Sequence, residues 1–342
     1  MALDDWVSYH LFYQGSRDRL LTGLVRPLAA DLWREGRIDR FFFVRYALGG
    51  PHLRVRFRVV PSHGGDVEAG VEAACEEFFR HFPSETTLTE AEIRRTNRSL
   101  IANDPEAQDV LHPNNSWTQV PFQGETERYG GEELLGHSLD FFNVSSLRVL
   151  RFLTDGEVTW SAQSRFALLL FTRHALGLAR DPEEFLDLIS QPIISWGEHT
   201  PTILSHGDQV FERQRDHFVR LLRDEAEALT PYSSQEDTES ARRLAWEVRD
   251  AAPALRRSIA VGQLHMTANR LGFTNAQEVY LSRILYRTAE ELAPSDPALW
   301  SRLRDLLATR AALSIPSGER LRNLLPAVFA EAFTAPGEVA PA

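Results

Sequence analysis

The stretch Phe41 to Val60, FFFVRYALGGPHLRVRFRVV, constrains the fold more than any other. Two runs of β-formers flank a Gly49-Gly50-Pro51 break, the pattern of an antiparallel hairpin with one face on a core. Side chains alternate along a strand, so Leu53, Val55, Phe57 and Val59 share one face of the second run. His52, Arg54, Arg56 and Arg58 share the other. The first run adds Arg45. Guanidiniums at every second position repel one another, so this face must look to open water or to something anionic or rich in carbonyls. Both readings stay open at this point.

On either side of the hairpin, the first third of the chain alternates between strand and helix signals. Trp6 to Tyr13, WVSYHLFY, predicts a first strand. Ser16 caps a helix running to about Trp33, interrupted or kinked at Pro27 and closed by Gly36. After the hairpin come helical patterns over Val67 to Phe82 and Thr89 to about Asn103, then SWTQVPF, Ser116 to Phe122. That last run is an expected edge strand, because Pro121 cannot donate to a central ladder.

From Tyr129 the pattern becomes helical throughout. Segments are expected at Glu133 to Phe142, Ser145 to Leu153, Ser161 to Leu178, Pro182 to Ser190, Asp208 to Leu229, Gln235 to Ala251 and Arg256 to Arg270. Three more fall at Ala276 to Leu292, Pro297 to Leu307 and Ser317 to Phe333. No fixed period links them, which excludes a solenoid. The expected class is α+β: an antiparallel sheet with a hairpin near the N-terminus and a mostly helical C-terminal half packed on it. The expected divisions are 1–128 and 129–333, forming one continuous domain, with 334–342 as a disordered tail.

Composition narrows the chemistry. There is no lysine, so all 37 basic residues are arginine. Lysine Schiff bases and P-loop lysines are thereby excluded, and acid–base work falls to His, Tyr, Asp or Glu. The single cysteine, Cys75, rules out intrachain disulfides and suits a reducing compartment, hence an expected cytoplasmic location. A net charge of −11 argues against wholesale nucleic-acid binding, and no apolar run is long enough for a membrane span. The histidines His10, His199 and His206 show no metal-ligand spacing, so neither a metal nor a cofactor is expected. GxGxxG and GxSxG patterns are absent as well.

Within the helical half, His265 and Asn269 stand four apart beside the apolar stripe Val261, Leu264, Ala268 and Leu271, at a border between core and cleft. A lone histidine there is more often a hydrogen-bonded boundary residue, and a proton-transfer role needs an accessible imidazole with a tuned pKa. Glu127-Arg128-Tyr129-Gly130-Gly131 reads by composition as a helix-entry loop. Tyr280 and Tyr286 could each offer a phenol to a cleft or pack in the core.

WVSYHLFY with FFFVRYALGGPHLRVRF, then ERYGG, and finally HMTANRLG together resemble the thiopeptide-type bacteriocin biosynthesis proteins. These are similar to the C-terminal elimination domain of class I lanthipeptide dehydratases. The resemblance implies one of two activities on a leader-bearing precursor peptide. One branch removes glutamate from glutamylated Ser or Thr. The other, the pyridine synthases, joins two dehydroalanines in a formal aza-Diels–Alder cycloaddition, then loses water and the leader peptide to give a pyridine macrocycle.

In the elimination branch the resemblance gives catalytic roles to Arg54, Arg56 and His265. It also implies an arginine in a Tyr-x-Arg-Glu run just before ERYGG, where this chain has Phe122-Gln123-Gly124-Glu125. That departure favours pyridine synthase, with His265, Arg54, Tyr280 and Asn269 as catalytic candidates. Arg45, Arg56, His52 and Arg128 are the substrate-binding candidates. The expected partners are the modified precursor peptide and other thiopeptide biosynthetic enzymes. Glutamate elimination and non-catalytic leader binding remain the alternatives.

Overall fold

The computed structural model describes residues 5–61, 63–101, 109–154, 158–197, 201–232 and 235–333. His199 and the 334–342 segment therefore lie outside the described residues. The class is α+β, and the chain forms two compact units, 1–124 with 142–157 and 325–342, and 125–141 with 158–324.

The first unit carries a four-stranded antiparallel sheet of β1 (Trp6–Phe12), β2 (Ile38–Tyr46), β3 (His52–Val59) and β4 (Ser116–Gln119), in the order β2-β3-β1-β4. β4 occupies one edge, as expected, but ends at Gln119, before Pro121. Opposed pairs such as Tyr9 with Val55, Leu11 with Leu53 and Phe41 with Phe57 set one apolar face, and each of these six side chains is buried. In the β2–β3 loop Gly49 and Gly50 have φ of +82° and +126°, which L side chains rarely adopt. A Cβ on Gly49 would also stand 2.8 Å from His112, so this position has room only for glycine.

Pro27 shapes the helix between β1 and β2. Short helix α1 (Arg17–Leu20) leads into a π-helical turn at Leu21–Val25 before α2 (Arg26–Arg34) resumes the ordinary ladder. Pro27 has no N–H for the carbonyl four residues back, and the chain widens instead, with Arg26 N–H donating to the Leu21 carbonyl. α3 (Gly64–His81), α4 (Glu90–Ile101) and α13 (Leu321–Phe333) from Leu325 onward also belong to this unit.

One long helix, α5 (Glu132–Thr154), replaces the two expected segments. Asn143, Ser145 and Ser146 look like a break by propensity, yet all three are buried. Asn143 Oδ1 accepts the Phe41 N–H at 2.7 Å and Ser146 Oγ accepts that of Phe43 at 3.3 Å. These side chains satisfy the outer backbone donors of edge strand β2 and close it to further pairing.

The second unit holds α6 (Trp160–Leu178), α7 (Pro182–Trp196), α8 (Pro201–Glu227), α9 (Glu236–Glu247), α10 (Pro253–Leu271), α11 (Asn275–Ser295) and α12 (Pro297–Ala312). α11 packs on α8, α7 and α12, while α6 packs on α9 and α10. Arg283 and Arg287 both reach Asp208 and so fix α11 to α8. Among the described residues no helix is long and apolar enough to cross a membrane.

Candidate functional site

Two groups of polar side chains stand out, one in each unit. The first lies on the sheet face opposite the apolar one. His52 is buried between His10 (centroids 4.8 Å), Phe12 (4.6 Å) and Tyr46 (5.7 Å). Its Nδ1–H donates to the Gly50 carbonyl at 2.9 Å, which leaves Nε2 as an acceptor facing Arg54 Nε at 3.4 Å. Burial and the neighbouring cations press both imidazoles toward the neutral form. His52 falls to about 3 through burial and Arg54, and His10 to about 2 through burial, His52, Arg54 and Arg56.

The arginine row is held by its surroundings instead of standing open in water. Arg54 lies 3.7 Å above the Tyr46 ring. Arg56 sits against Phe42 (5.3 Å) and Phe122 (5.1 Å), and both rings touch Trp6. Arg58 pairs with Asp39. Arg45 does not join this row. Its register partner is Leu53, so it projects from the apolar face, where it pairs with Asp18. Arg45 and Arg54 therefore point to opposite sides of the sheet, and grouping them as one anion-facing set is corrected.

The second group is centred on α10. His265 Nδ1 lies 2.9 Å from Glu278 Oε2 on α11; the His265 side chain is 27% exposed and that of Glu278 only 3%. With Nδ1–H donating to this buried carboxylate, Nε2 is the basic atom. The Trp196 ring packs 5.1 Å from the imidazole. Asn269 follows one turn along α10 and is half-buried, as a shared helix edge requires.

The ERYGG stretch meets the same helix. Gly262 lies one turn before His265, and a Cβ there would be 3.6 Å from the Tyr129 hydroxyl and 4.0 Å from Arg128 Nη2. Tyr129 is buried and its phenol is pushed up to about 12, chiefly by burial. Arg128 is exposed and pairs with Glu125 at 2.9 Å. Thus Arg128, Tyr129, His265 and Asn269 border one side of α10.

Tyr280 falls elsewhere. It follows Glu278 by two residues, about 200° around α11, so the two side chains leave opposite sides of that helix. Its ring stacks on His206 at 5.4 Å, with Trp160 at 6.4 Å, and burial raises its phenol. Sequence reasoning missed Glu278, although a signal was present. Glu278, Leu281, Ser282 and Leu285 share a helical stripe and all four are buried, and a carboxylate on a core stripe needs a partner. Among the described residues no group of three or more His, Cys, Asp or Glu is placed to hold a metal ion.

Residues 6–289 match the family described as lantibiotic biosynthesis dehydratase C-term. No curated protein matches the chain. Among solved structures it is similar to the pyridine synthase TbtD from thiomuracin biosynthesis, at 17% identity and a TM-score of 0.64, covering 85% of this chain and 99% of that one. TsrL is similar at 16% identity and a TM-score of 0.57, covering 90% and 99%. The tRNA-dependent lantibiotic dehydratase MibB from Microbispora sp. 107891 matches at 17% identity and a TM-score of 0.56. That match covers 86% of this chain and 29% of the longer enzyme.

Proposed function

Starting from a chain that belongs to the lantibiotic biosynthesis dehydratase C-terminal family, we propose that it is a pyridine synthase acting on a leader-bearing, already dehydrated peptide. The observation that carries this reading over elimination is Phe122-Gln123-Gly124-Glu125, which has no arginine before ERYGG, while the His265–Glu278 hydrogen bond prepares the accessible imidazole that the reaction needs as a base. For one dehydroalanine amide to act as an aza-diene, its N–H proton must move to its carbonyl oxygen. His265 Nε2 takes that proton, Glu278 balances the imidazolium, and return of the proton to oxygen gives the iminol. Asn269 is placed on the same helix edge to hold the amide. Cycloaddition to the second dehydroalanine then forms two carbon–carbon bonds, a step in which acceleration comes from positioning. Departure of water and then of the leader peptide from the non-aromatic ring gives the aromatic pyridine, and the same imidazole can supply and remove the protons involved.

On the sheet unit, Arg54 and Arg56 are the proposed contacts for peptide carbonyls or carboxylates, with His52 orienting Arg54 through its Nε2. Arg128 is proposed as a further contact beside α10. Tyr280 is dropped from the proton-transfer set, because it leaves α11 on the side away from Glu278. The TbtD match, which spans 99% of that pyridine synthase, supports the reading.

Glutamate elimination is the second reading, favoured by the family description itself. It also needs a base. What weighs against it is Phe122-Gln123-Gly124-Glu125, which offers no arginine before ERYGG. Mass spectrometry separates the two. The purified protein is incubated, without added cofactor, with a leader-bearing peptide carrying two dehydroalanines and azoles. Release of the leader with a product lacking one water supports cycloaddition. An unchanged peptide, together with glutamate loss from a glutamylated substrate, would replace it with elimination.

A further inference from the structure

Helix α1 opens with a cation that nothing nearby compensates. Arg17 stands one turn before Leu20 and Leu21, both wholly buried, so its side chain starts on the core-facing side of the helix. It is half-buried, and among the described residues its guanidinium has no hydrogen-bond or ion-pair partner. Its nitrogens keep some exposed surface, so a ligand can reach them.

Burial disfavours the charged form of Arg17 and Arg45 repels it, which together lower its pKa against the pull of Asp18. A cation in the first turn is also set against the helix dipole. Among the described residues Asp18 is the one acid acting on Arg17, and it is already bonded to Arg45. Two guanidiniums against one carboxylate leave a surplus of one positive charge. That surplus matches a single carboxylate better than a phosphate dianion, and the planar fork of a guanidinium fits a carboxylate with two N–H donors.

The place of Arg17 in the fold says where such a carboxylate would come from. Its charge acts on Arg45, one residue before the end of β2, and on His52, the first residue of β3, which puts it at the hairpin-loop end of the sheet. His52 in turn faces Arg54 Nε at 3.4 Å. We propose that Arg17 is a further peptide-binding residue that takes one carboxylate of the substrate peptide, from an acidic side chain or from the C-terminus. This rests on the reading of the chain as an enzyme of leader-bearing peptides and extends the Arg54 and Arg56 contacts past His52. It is independent of whether the peptide then undergoes cycloaddition or elimination.

Calorimetry of the full chain with a leader-bearing peptide that carries serine in place of both dehydroalanines, and so cannot react, tests this beside thermal unfolding without peptide. Arg17→Met keeps the apolar stem and removes the charge. It should weaken the peptide about tenfold. The same variant should raise the melting temperature of the free chain by about 2 °C, because it removes an uncompensated charge and no partner. Amides put in place of the peptide's acidic residues one at a time, and of its C-terminal carboxylate, locate the contact. One of these changes should weaken binding to the unchanged chain about tenfold and have no further effect on Arg17→Met. Equal affinity of the two proteins, or losses that add for every peptide carboxylate, overturns the site. A lower melting temperature in Arg17→Met also overturns it, since Arg17 would then hold the fold. If the unchanged chain binds no leader-bearing peptide, the peptide reading falls and the proposal with it; failure of the site alone shows as tight binding by both proteins.

Discussion

His265 on α10 donates its Nδ1 proton to Glu278 on α11 across 2.9 Å, and the two stand thirteen positions apart in the chain. The carboxylate is almost wholly buried and the imidazole is not, so the charge that balances an imidazolium is fixed before any substrate arrives. Trp196 against the ring limits its rotation.

Glu278→Gln should therefore keep the fold and lower turnover. Glutamine can still accept the Nδ1 hydrogen bond, so the tautomer survives, but it carries no charge to balance the imidazolium. A fall of about 10²-fold in kcat with KM within about twofold is expected in the peptide assay. His265→Ala should lose turnover and retain peptide binding. Unchanged turnover in either variant would remove the pair from the reaction.

Much of this fold was readable because its elements repeat at the right period. The β3 run alternates strictly, so the faces carrying Leu53, Val55 and Phe57 or His52, Arg54 and Arg56 followed directly. β2 does not alternate: Phe41, Phe43 and Arg45 share one face while Phe42, Val44 and Tyr46 share the other. With apolar residues on both sides, periodicity could not say which way Arg45 points. The loop between the strands decided it. The continuity of α5 was hidden for a different reason, since Asn143 and Ser146 bond to the backbone of β2, about a hundred residues away in sequence, and propensity sees only neighbours. The His265–Glu278 contact is likewise a matter of how two helices pack, although the buried stripe through Glu278 hinted at a partner.

Asn143→Ala should destabilise the chain by about 1–3 kcal/mol, because it strands the buried Phe41 N–H that Asn143 Oδ1 now accepts. Urea unfolding checks this, with the near-isosteric Thr288→Val as the control. The buried Thr288 hydroxyl donates to the Ile284 carbonyl within its own helix, so its removal should cost clearly less. Equal losses would mean that the edge-strand cap contributes nothing.

The stacked pair His10 and His52 sets a pH dependence. Both are held neutral in the folded protein, at about 2 and about 3, against about 6.5 in an unfolded chain. The unfolded state thus binds more protons below about pH 6.5. Stability from this pair is fully present above that pH and drains away as pH falls toward 3, by up to about 1.4 kcal/mol per pH unit for each histidine. His10→Phe should reduce the slope of unfolding free energy between pH 6.5 and 5 by about that amount. A slope identical to that of the unchanged protein would show that His10 is not held neutral.

Gly262 offers the sharpest test of how the ERYGG stretch lies on α10. The nearest atom to an added Cβ is the Tyr129 hydroxyl at 3.6 Å, an ordinary van der Waals contact, so Gly262→Ala should fit. Alanine also restricts the unfolded chain and favours the helix, for a gain of about 0.5–1 kcal/mol. A longer side chain has nowhere to go except into the buried Tyr129 and the neighbouring Arg128. Gly262→Leu should therefore displace the loop one turn from His265, with turnover falling together with stability, whereas Gly262→Ala raises the melting temperature and leaves kcat unchanged. If leucine were accommodated with full activity and stability, Tyr129 would not be seated against α10, and Arg128 could not be assigned to the His265 side of the helix.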